Sequence, residues 1–201
     1  MNPSSWSELK FEGLIIGYGI FGHDNGGFLY PEGYGKGICE VLDFTQNRHK
    51  YLSSDFSFKK TNLSLSATYD SSLIVNQRFK DFCLKNSYEG IEFYTIPKYS
   101  GFYLLNVEKE IEFDSKRRKV KFEQFEKTCG KYNSVIGAAP ICLTSSIPLS
   151  DGFYRTDIEF GTGYEQSPLI VIGTETYSKM QREKFTDIDY EPIQDSYDWE
   201  D

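Results

Sequence analysis

The chain has 201 residues, and Leu, Ile, Val and Phe together make 52 of them, which is enough apolar material for the core of one ordinary domain. It contains only 3 Ala against 31 Phe and Tyr. Because Ala is the strongest helix former and aromatic residues favour strands, this composition argues against an all-helical bundle and favours a sheet-rich fold. The net charge of −8 argues against a protein whose whole surface is built for nucleic acid.

The sequence shows no pattern typical of membrane insertion or secretion. No run of about 18 apolar residues occurs, so we expect no membrane-spanning helix. Residues 1–10 lack the charged and then apolar order of a signal peptide, so we expect a cytoplasmic protein. The cysteines are then expected to be reduced thiols, with a disulfide or zinc framework as the minority alternative. They are widely spaced, at Cys39, Cys83, Cys129 and Cys142.

Residues 13–37 are rich in glycine and are expected to form a β segment of short strands and turns. Within it, Gly17, Gly19 and Gly22 spell GxGxxG, the pattern of a dinucleotide-binding loop. Such a loop needs a helix directly behind it, and the further glycines and the proline that follow here argue against one. We therefore expect no cofactor at this segment.

Two stretches in the middle of the chain have the periodicity of strands. Residues 61–69 alternate apolar and polar side chains, which indicates a half-buried strand. Residues 102–124 are expected to form a β-hairpin that turns at 114–117 and pairs an acidic strand with a basic one. This pairing would account for the KRRKVK run at 116–121, so no nucleic-acid partner is expected. A short helix is expected over 122–129.

Two segments of the chain resemble each other, residues 71–97 and residues 167–194. Leu73-Ile74-Val75 in the first matches Leu169-Ile170-Val171 in the second, and each is followed by apolar residues at helical spacing and then by an alternating strand. We interpret both as strand–helix–strand modules, with chance similarity of pattern as the alternative. Two such modules would pack on a shared sheet. The expected fold is therefore α+β, a sheet-rich single domain over residues 1–201 with two repeat modules and a β-hairpin.

The first module resembles a family of bacterial proteins, the DUF1629 or Imm11-like group, whose members have an apolar strand, a "serfkdll" helix and a "GvEF.PI" strand. The matching residues are Leu73-Ile74-Val75, Arg78-Phe79-Lys80-Asp81, Gly90-Ile91-Glu92-Phe93 and Ile96-Pro97. The second module, preceded by Asp151-Gly152-Phe153-Tyr154-Arg155, is similar to the C-terminal part of the double-CxxCG immunity proteins.

The double-CxxCG proteins carry two cysteine knuckles that suggest zinc, and this sequence departs from that pattern. Only Cys129-Gly130 remains of the first knuckle, with Glu126 in place of its partner cysteine. Cys142 has Ala139 three residues before it. The resemblance therefore implies an immunity protein that neutralises a toxin by binding it, and no metal is expected.

The negative charge is concentrated at the end of the chain. Residues 187–201 contain seven acidic residues and no basic ones, so the rest of the chain has a net charge of only −1. We interpret the end of this stretch as an acidic, aromatic surface for a basic partner, with a frayed, solvated tail as the alternative. The candidate contact residues are Asp195, Tyr197, Asp198, Trp199, Glu200 and Asp201.

Together these features predict a non-catalytic, cytoplasmic immunity protein that binds and neutralises a cognate bacterial toxin with a basic surface. No catalytic residue, cofactor, metal, nucleic acid or membrane is expected to take part. Two alternatives stay open. One is a small hydrolase that uses His23 and Asp24 of the glycine-rich segment, and the other is a β-type ligand-binding or adaptor module.

Overall fold

The structure, a computed structural model, describes residues 13–30, 48–52, 56–57 and 62–197. In this part the chain is a sheet-rich single domain with eleven strands in one mixed sheet and two α-helices. The strands are β1 (Ile15–Asp24), β2 (Leu65–Ala67), β3 (Leu73–Asn76), β4 (Ile91–Ile96), β5 (Tyr99–Val107), β6 (Glu110–Ile111), β7 (Lys121–Glu126), β8 (Lys131–Ile136), β9 (Phe153–Thr162), β10 (Ser167–Ile172) and β11 (Ile188–Gln194). The helices are α1 (Gln77–Lys85) and α2 (Thr174–Arg182), and short 3-10 turns lie at Arg48–Lys50 and Gly163–Glu165.

The first strand lies in the middle of the sheet. The strands follow the path β4-β5-β3-β2-β1-β10-β9-β8-β7, while β11 also pairs with β1 and β6 with β9. Among the described strands, β1–β2 and β6–β9 are parallel pairs and the remaining pairs are antiparallel. The central strand β1 therefore joins three neighbours from distant parts of the chain.

Both segments that resemble each other in sequence have the order strand, helix, strand. The first consists of β3, α1 and β4, and the second of β10, α2 and β11. In each, the two strands flank a third, antiparallel strand: Leu104 of β5 pairs with both β3 and β4, and Ile20 of β1 pairs with both β10 and β11. This is a split β-α-β arrangement in both places. The relation of the two segments as copies of one repeat stays a prediction.

Helix α1 has a local signal at its start and an apolar face along its length. The side chain of Asn76 accepts a hydrogen bond from the backbone N–H of Phe79 at 3.0 Å and so caps the first turn. Phe79, Phe82 and Cys83 then follow at spacings of three and four residues, and all three are buried. The helix therefore lies with this face against the sheet.

Helix α2 begins where a glycine lets two parts of the chain approach closely. A Cβ atom on Gly173 would lie 2.0 Å from the carbonyl oxygen of Ser150, so a larger residue would force the two backbones apart. Thr176 and Met180 are one helical turn apart and both are buried. Met180 belongs to the same apolar cluster as Phe79, so both helices cover the same face of the sheet.

The alternation of side chains along β10 separates two apolar cores. Ile170 and Ile172 point to the face that the helices cover, and Val171 points to the opposite face. The second core lies under the loop before β9 and includes Ile16 and Ile141. Each fully buried side chain of this size stabilises the fold by about 1.5–3 kcal/mol, so the sheet is held from both faces.

The hairpin expected over 102–124 is wrong. β5 pairs with β3 and β4, Glu110–Ile111 pairs in parallel with β9, and β7 pairs with β8. The basic run at 116–121 therefore does not lie opposite an acidic strand. Alternation indicates which residues share a face of a strand, but it does not specify the partner strand.

The helix expected over 122–129 is also wrong, because its first half is strand β7. Phe122 and Phe125 are spaced as on a helix face, but Gln124 between them has a left-handed backbone with φ 56°. Both rings contact Tyr132 of β8. The left-handed conformation at Gln124 thus allows two residues three positions apart to share one face of a strand, as they would on a helix.

The other local expectations are met in part. The strand expected within 61–69 is present as β2, although it is shorter. The glycine-rich segment does contain β structure, but β1 runs without a break through the GxGxxG residues. Residues 31–37 of that segment lie outside the described part of the chain.

Candidate functional site

The glycines of the GxGxxG pattern act as a packing platform. A Cβ atom on Gly19 would lie 2.5 Å from Cδ1 of Ile141, and one on Gly22 would lie 2.8 Å from Cα of Ser66. The missing side chains therefore make room for a loop on one side of β1 and for strand β2 on the other. The helix N-terminus that a dinucleotide phosphate requires does not follow, because β1 continues to Asp24.

The residues of the hydrolase alternative, His23 and Asp24, are not turned towards each other. Nε2 of His23 lies 3.5 Å from Oδ1 of Asp189 on the neighbouring strand β11. Oδ1 of Asp24 accepts a hydrogen bond from the backbone N–H of Gly26 at 2.6 Å and shapes the turn after β1. Thus the structure forms a His23–Asp189 pair, which is largely exposed, and it uses Asp24 for local structure.

Of the six candidate contact residues at the C-terminus, the structure describes Asp195 and Tyr197. Asp195 accepts a hydrogen bond from the backbone N–H of Leu14 at 2.8 Å. The hydroxyl of Tyr197 donates to the carbonyl of Ile141 at 2.7 Å, and the guanidinium of Arg117 lies 5.4 Å from the centre of its ring. Tyr197 is only 7% exposed, so it fixes the end of the described chain to the body. Asp198, Trp199, Glu200 and Asp201 lie outside the described residues.

A polar network joins the two strand–helix–strand segments. The carboxylate of Asp151 accepts hydrogen bonds from Tyr88, which follows α1, at 3.1 Å and from Thr176 of α2 at 2.7 Å. It also binds Nζ of Lys179, one turn further along α2. Thr176 is fully buried, and its hydroxyl accepts a hydrogen bond from the backbone N–H of Gly152 at 2.7 Å. The network therefore fixes the start of β9 against both helical segments.

The surroundings of Asp151 keep it charged. Burial alone would raise the pKa of its carboxyl, but the hydrogen bonds from Lys179, Thr176 and Tyr88 outweigh burial and hold this pKa below its usual value. Burial also raises the pKa of the Tyr88 hydroxyl to about 12, so Tyr88 stays a donor. No local sequence pattern indicates this network, because its members come from three separate parts of the chain.

An open cleft of about 500 Å³ lies beside this network. Asp151 and Lys109 both line it, and Nζ of Lys109 donates a hydrogen bond to the hydroxyl of Tyr154 at 3.3 Å. That hydroxyl also contacts the side chain of Ser150. Ser87 and Tyr88 also line the cleft, so it combines both signs of charge with hydroxyl groups, which suits a small polar ligand.

The hairpin of β7 and β8 (residues 121–136), which we call the ribbon, carries an exposed aromatic cluster. The ring centres of Phe122 and Phe125 lie 5.2 and 4.9 Å from that of Tyr132. Phe125 is 52% exposed, and every residue of β7 is exposed. Two residue pairs between β8 and β9, a hydrogen bond from the Gln166 side chain to the carbonyl of Tyr132 and the packing of Cys129 against an apolar core cluster join the ribbon to the body. Contiguous exposed rings of this kind are typical of surfaces that bind another molecule.

The cysteines differ from the expectation of reduced thiols. Cys83 and Cys142 are free and buried, whereas Cys129, in the turn of the ribbon, is disulfide-bonded. The expectation is therefore wrong for Cys129. Within the described ranges, no group of three or more His, Cys, Asp or Glu side chains is arranged to hold a metal ion.

Comparison with known proteins adds no identification. Neither a scan against protein-family models nor a search of curated proteins gives a match for this chain.

Both α-helices that the structure describes are too short and too polar to cross a membrane.

Proposed function

We propose that this protein is a non-catalytic immunity protein that binds and neutralises a bacterial toxin. The observation that supports this most is the aromatic cluster of the ribbon. Phe122 and Phe125 each contact Tyr132 at the surface, and the three side chains are 40%, 52% and 38% exposed. Aromatic side chains of this type are the usual anchors of protein–protein interfaces. The resemblance to immunity proteins supplies the class of partner.

The charge of the chain supports a second contact with the toxin. Seven of the acidic residues lie within residues 187–201, and the Asp189 side chain on β11 is 75% exposed. An acidic edge of this kind accelerates association with a basic protein and contributes less to the final affinity. The ribbon would therefore determine the affinity for the toxin. The acidic edge, which consists of Asp189, Asp195 and the acidic residues among 198–201, would determine the rate of association.

The test is co-purification with the product of a toxin-domain gene immediately upstream of the gene of this protein, and the lack of such a gene would count against the immunity function. Phe125→Ser should weaken binding at least about tenfold, since a central aromatic anchor is worth about 1.4 kcal/mol or more. Ile147→Ser is the matched control, because Ile147 is 73% exposed but lies outside the ribbon. Equal affinity of the two variants would contradict the role of the ribbon, and no binding by the unaltered protein would contradict the immunity function.

The role of the acidic edge has its own test. Deletion of residues 198–201 should slow association at low salt and leave dissociation nearly unchanged. In about 1 M salt, where the Debye length is near 3 Å, the full-length and shortened proteins should associate at the same rate. Association that is independent of salt and of the deletion would contradict this part of the proposal.

The cleft beside Asp151 favours a ligand-binding module as the second candidate. Lys109 and Asp151 both line this open space of about 500 Å³. A screen of small polar metabolites by thermal shift would detect such binding, and Lys109→Met should abolish a genuine shift. The hydrolase alternative requires His23. Hydrolytic activity that is unchanged in His23→Ala would therefore count against it.

A further inference from the structure

One carboxyl group on the last strand is largely buried, and one of its two oxygens has no hydrogen-bond partner. Glu191 lies on β11 opposite Gly19 of β1. Its Oε1 atom is inaccessible to solvent and makes no hydrogen bond. A buried carboxylate oxygen without a donor costs free energy when the group is ionised.

A neighbouring cation compensates this carboxylate only in part. The guanidinium of Arg118 faces Glu191, but it donates from both Nε and Nη2 to the carbonyl of Ala139, at 2.8 Å for Nε. The other groups around Glu191 are the backbone of Ile141, the hydroxyl of Tyr197 and the thiol of Cys142. On the neighbouring strand β1, the residue opposite Glu191 is Gly19, which has no side chain and contributes no charge.

The segment that follows Glu191 is attached to this same place. The Tyr197 hydroxyl donates to the Ile141 carbonyl at 2.7 Å and accepts from the backbone N–H of Gln194 at 3.2 Å. Ile141 itself is fully buried. If the segment 194–197 leaves the body, the pocket around Glu191 opens to water.

We propose that Glu191 is a proton-controlled switch that holds residues 194–197 on the body when it is protonated and favours their release when it is ionised. The release follows because water solvates the ionised carboxylate only in the open form. This device is independent of the toxin-binding function, and it would control the position of Asp195 in either case.

The pH at which the switch acts follows from the burial of the carboxyl group. Burial raises the pKa of Glu191 to about 7, and the Ile141 backbone and Arg118 offset only part of that rise. In the open form the pKa returns towards its usual value of 4.5. The closed form therefore binds the proton more tightly, and raising the pH through 7 shifts the equilibrium towards the open form.

The test is hydrogen exchange of the Gln194 and Asp195 amides, measured by NMR and corrected for the intrinsic rate at each pH. The protection of both amides should fall about tenfold or more between pH 6 and about pH 9. In Glu191→Gln the protection should change less than about twofold over the same range. The amide of Val171, in the middle of the sheet, serves as the control for global unfolding.

Two further results keep the proposal open to refutation. Tyr197→Phe should lower the protection of these amides at every pH, because the hydrogen bonds of the Tyr197 hydroxyl are lost. The pH dependence of the protection should remain, because the Glu191 carboxyl is still present. If wild type and Glu191→Gln show the same pH dependence, the proposal is overturned. If Glu191→Gln does not fold, the pKa of Glu191 is measured in the wild type from the carbon-13 shift of its carboxyl. A measured pKa near the ordinary value of 4.5 would overturn the proposal.

Discussion

The aromatic residues of this protein are used in opposite ways under the helices and on the ribbon. Under the helices, Phe79 is fully buried, with its ring centre 5.8 Å from that of Phe153 and 5.7 Å from that of Phe185. On the ribbon, Phe125 contacts Tyr132 at 4.9 Å but stays half exposed. Rings in the first region contribute to folding, while rings in the second are available for a partner. Composition alone could not separate these two uses.

The strongest test of this contrast is Phe79→Ala. Removing a buried phenylalanine ring leaves a cavity and should lower the free energy of unfolding by about 3–5 kcal/mol. The measurement is urea unfolding followed by far-ultraviolet circular dichroism. Phe125→Ala is the control and should cost less than about 0.5 kcal/mol, as exposed substitutions usually do. Similar losses for both variants would show that the ribbon is part of the folding core.

An intermediate effect is expected at the polar network between the two helical segments. Thr176→Val keeps the shape of a fully buried side chain but removes the hydroxyl that Asp151 and Gly152 use. It should lower stability by about 1–3 kcal/mol, because buried polar groups lose their partner. Ser178→Ala on the exposed side of the same helix is the control and should have little effect. Equal unfolding curves for Thr176→Val and wild type would show that the network does not contribute to stability.

A smaller effect, and one that depends on pH, is expected for Asp151. Its pKa is lower in the folded protein than its ordinary value of 3.8. The stability that this shift contributes is therefore complete above that value and disappears as the pH falls through the folded-state pKa. Between about pH 5 and pH 2, wild type should lose stability faster than Asp151→Asn, as measured by thermal unfolding. Parallel curves for the two proteins would contradict the assigned charge state.

The sequence predicts the local order of elements better than their pairing. Asn76 followed by Phe79 and Phe82 contains a cap and an apolar face within a few residues, so α1 could be predicted. The partner of a strand depends on residues far away, and the period-two pattern around 102–124 fits any antiparallel neighbour. The expected hairpin failed for that reason, although its residues 121–124 do lie in a strand.

The candidate sites were harder to predict than the fold. Tyr197 reads as an exposed anchor in an acidic tail, but it finds a buried position against Ile141, which lies 56 residues earlier in the chain. Asp151 and Tyr88 are separated by 63 residues, so no motif can reveal their hydrogen bond. The ribbon could not be predicted because its two phenylalanines are three residues apart, as on a helix face, and the left-handed Gln124 that brings both to one face of a strand has no signal in the sequence.

The position of β1 has a consequence for how the protein is made. This strand is the first described one, but its neighbours β10 and β11 are the last two. During synthesis, Ile16 and Ile20 therefore remain without the strands β10 and β11 until almost the whole chain has emerged from the ribosome. The β4–β5 and β7–β8 hairpins can close early, whereas the centre of the sheet closes last. We expect this nascent chain to depend on chaperones that shield apolar strands until translation ends.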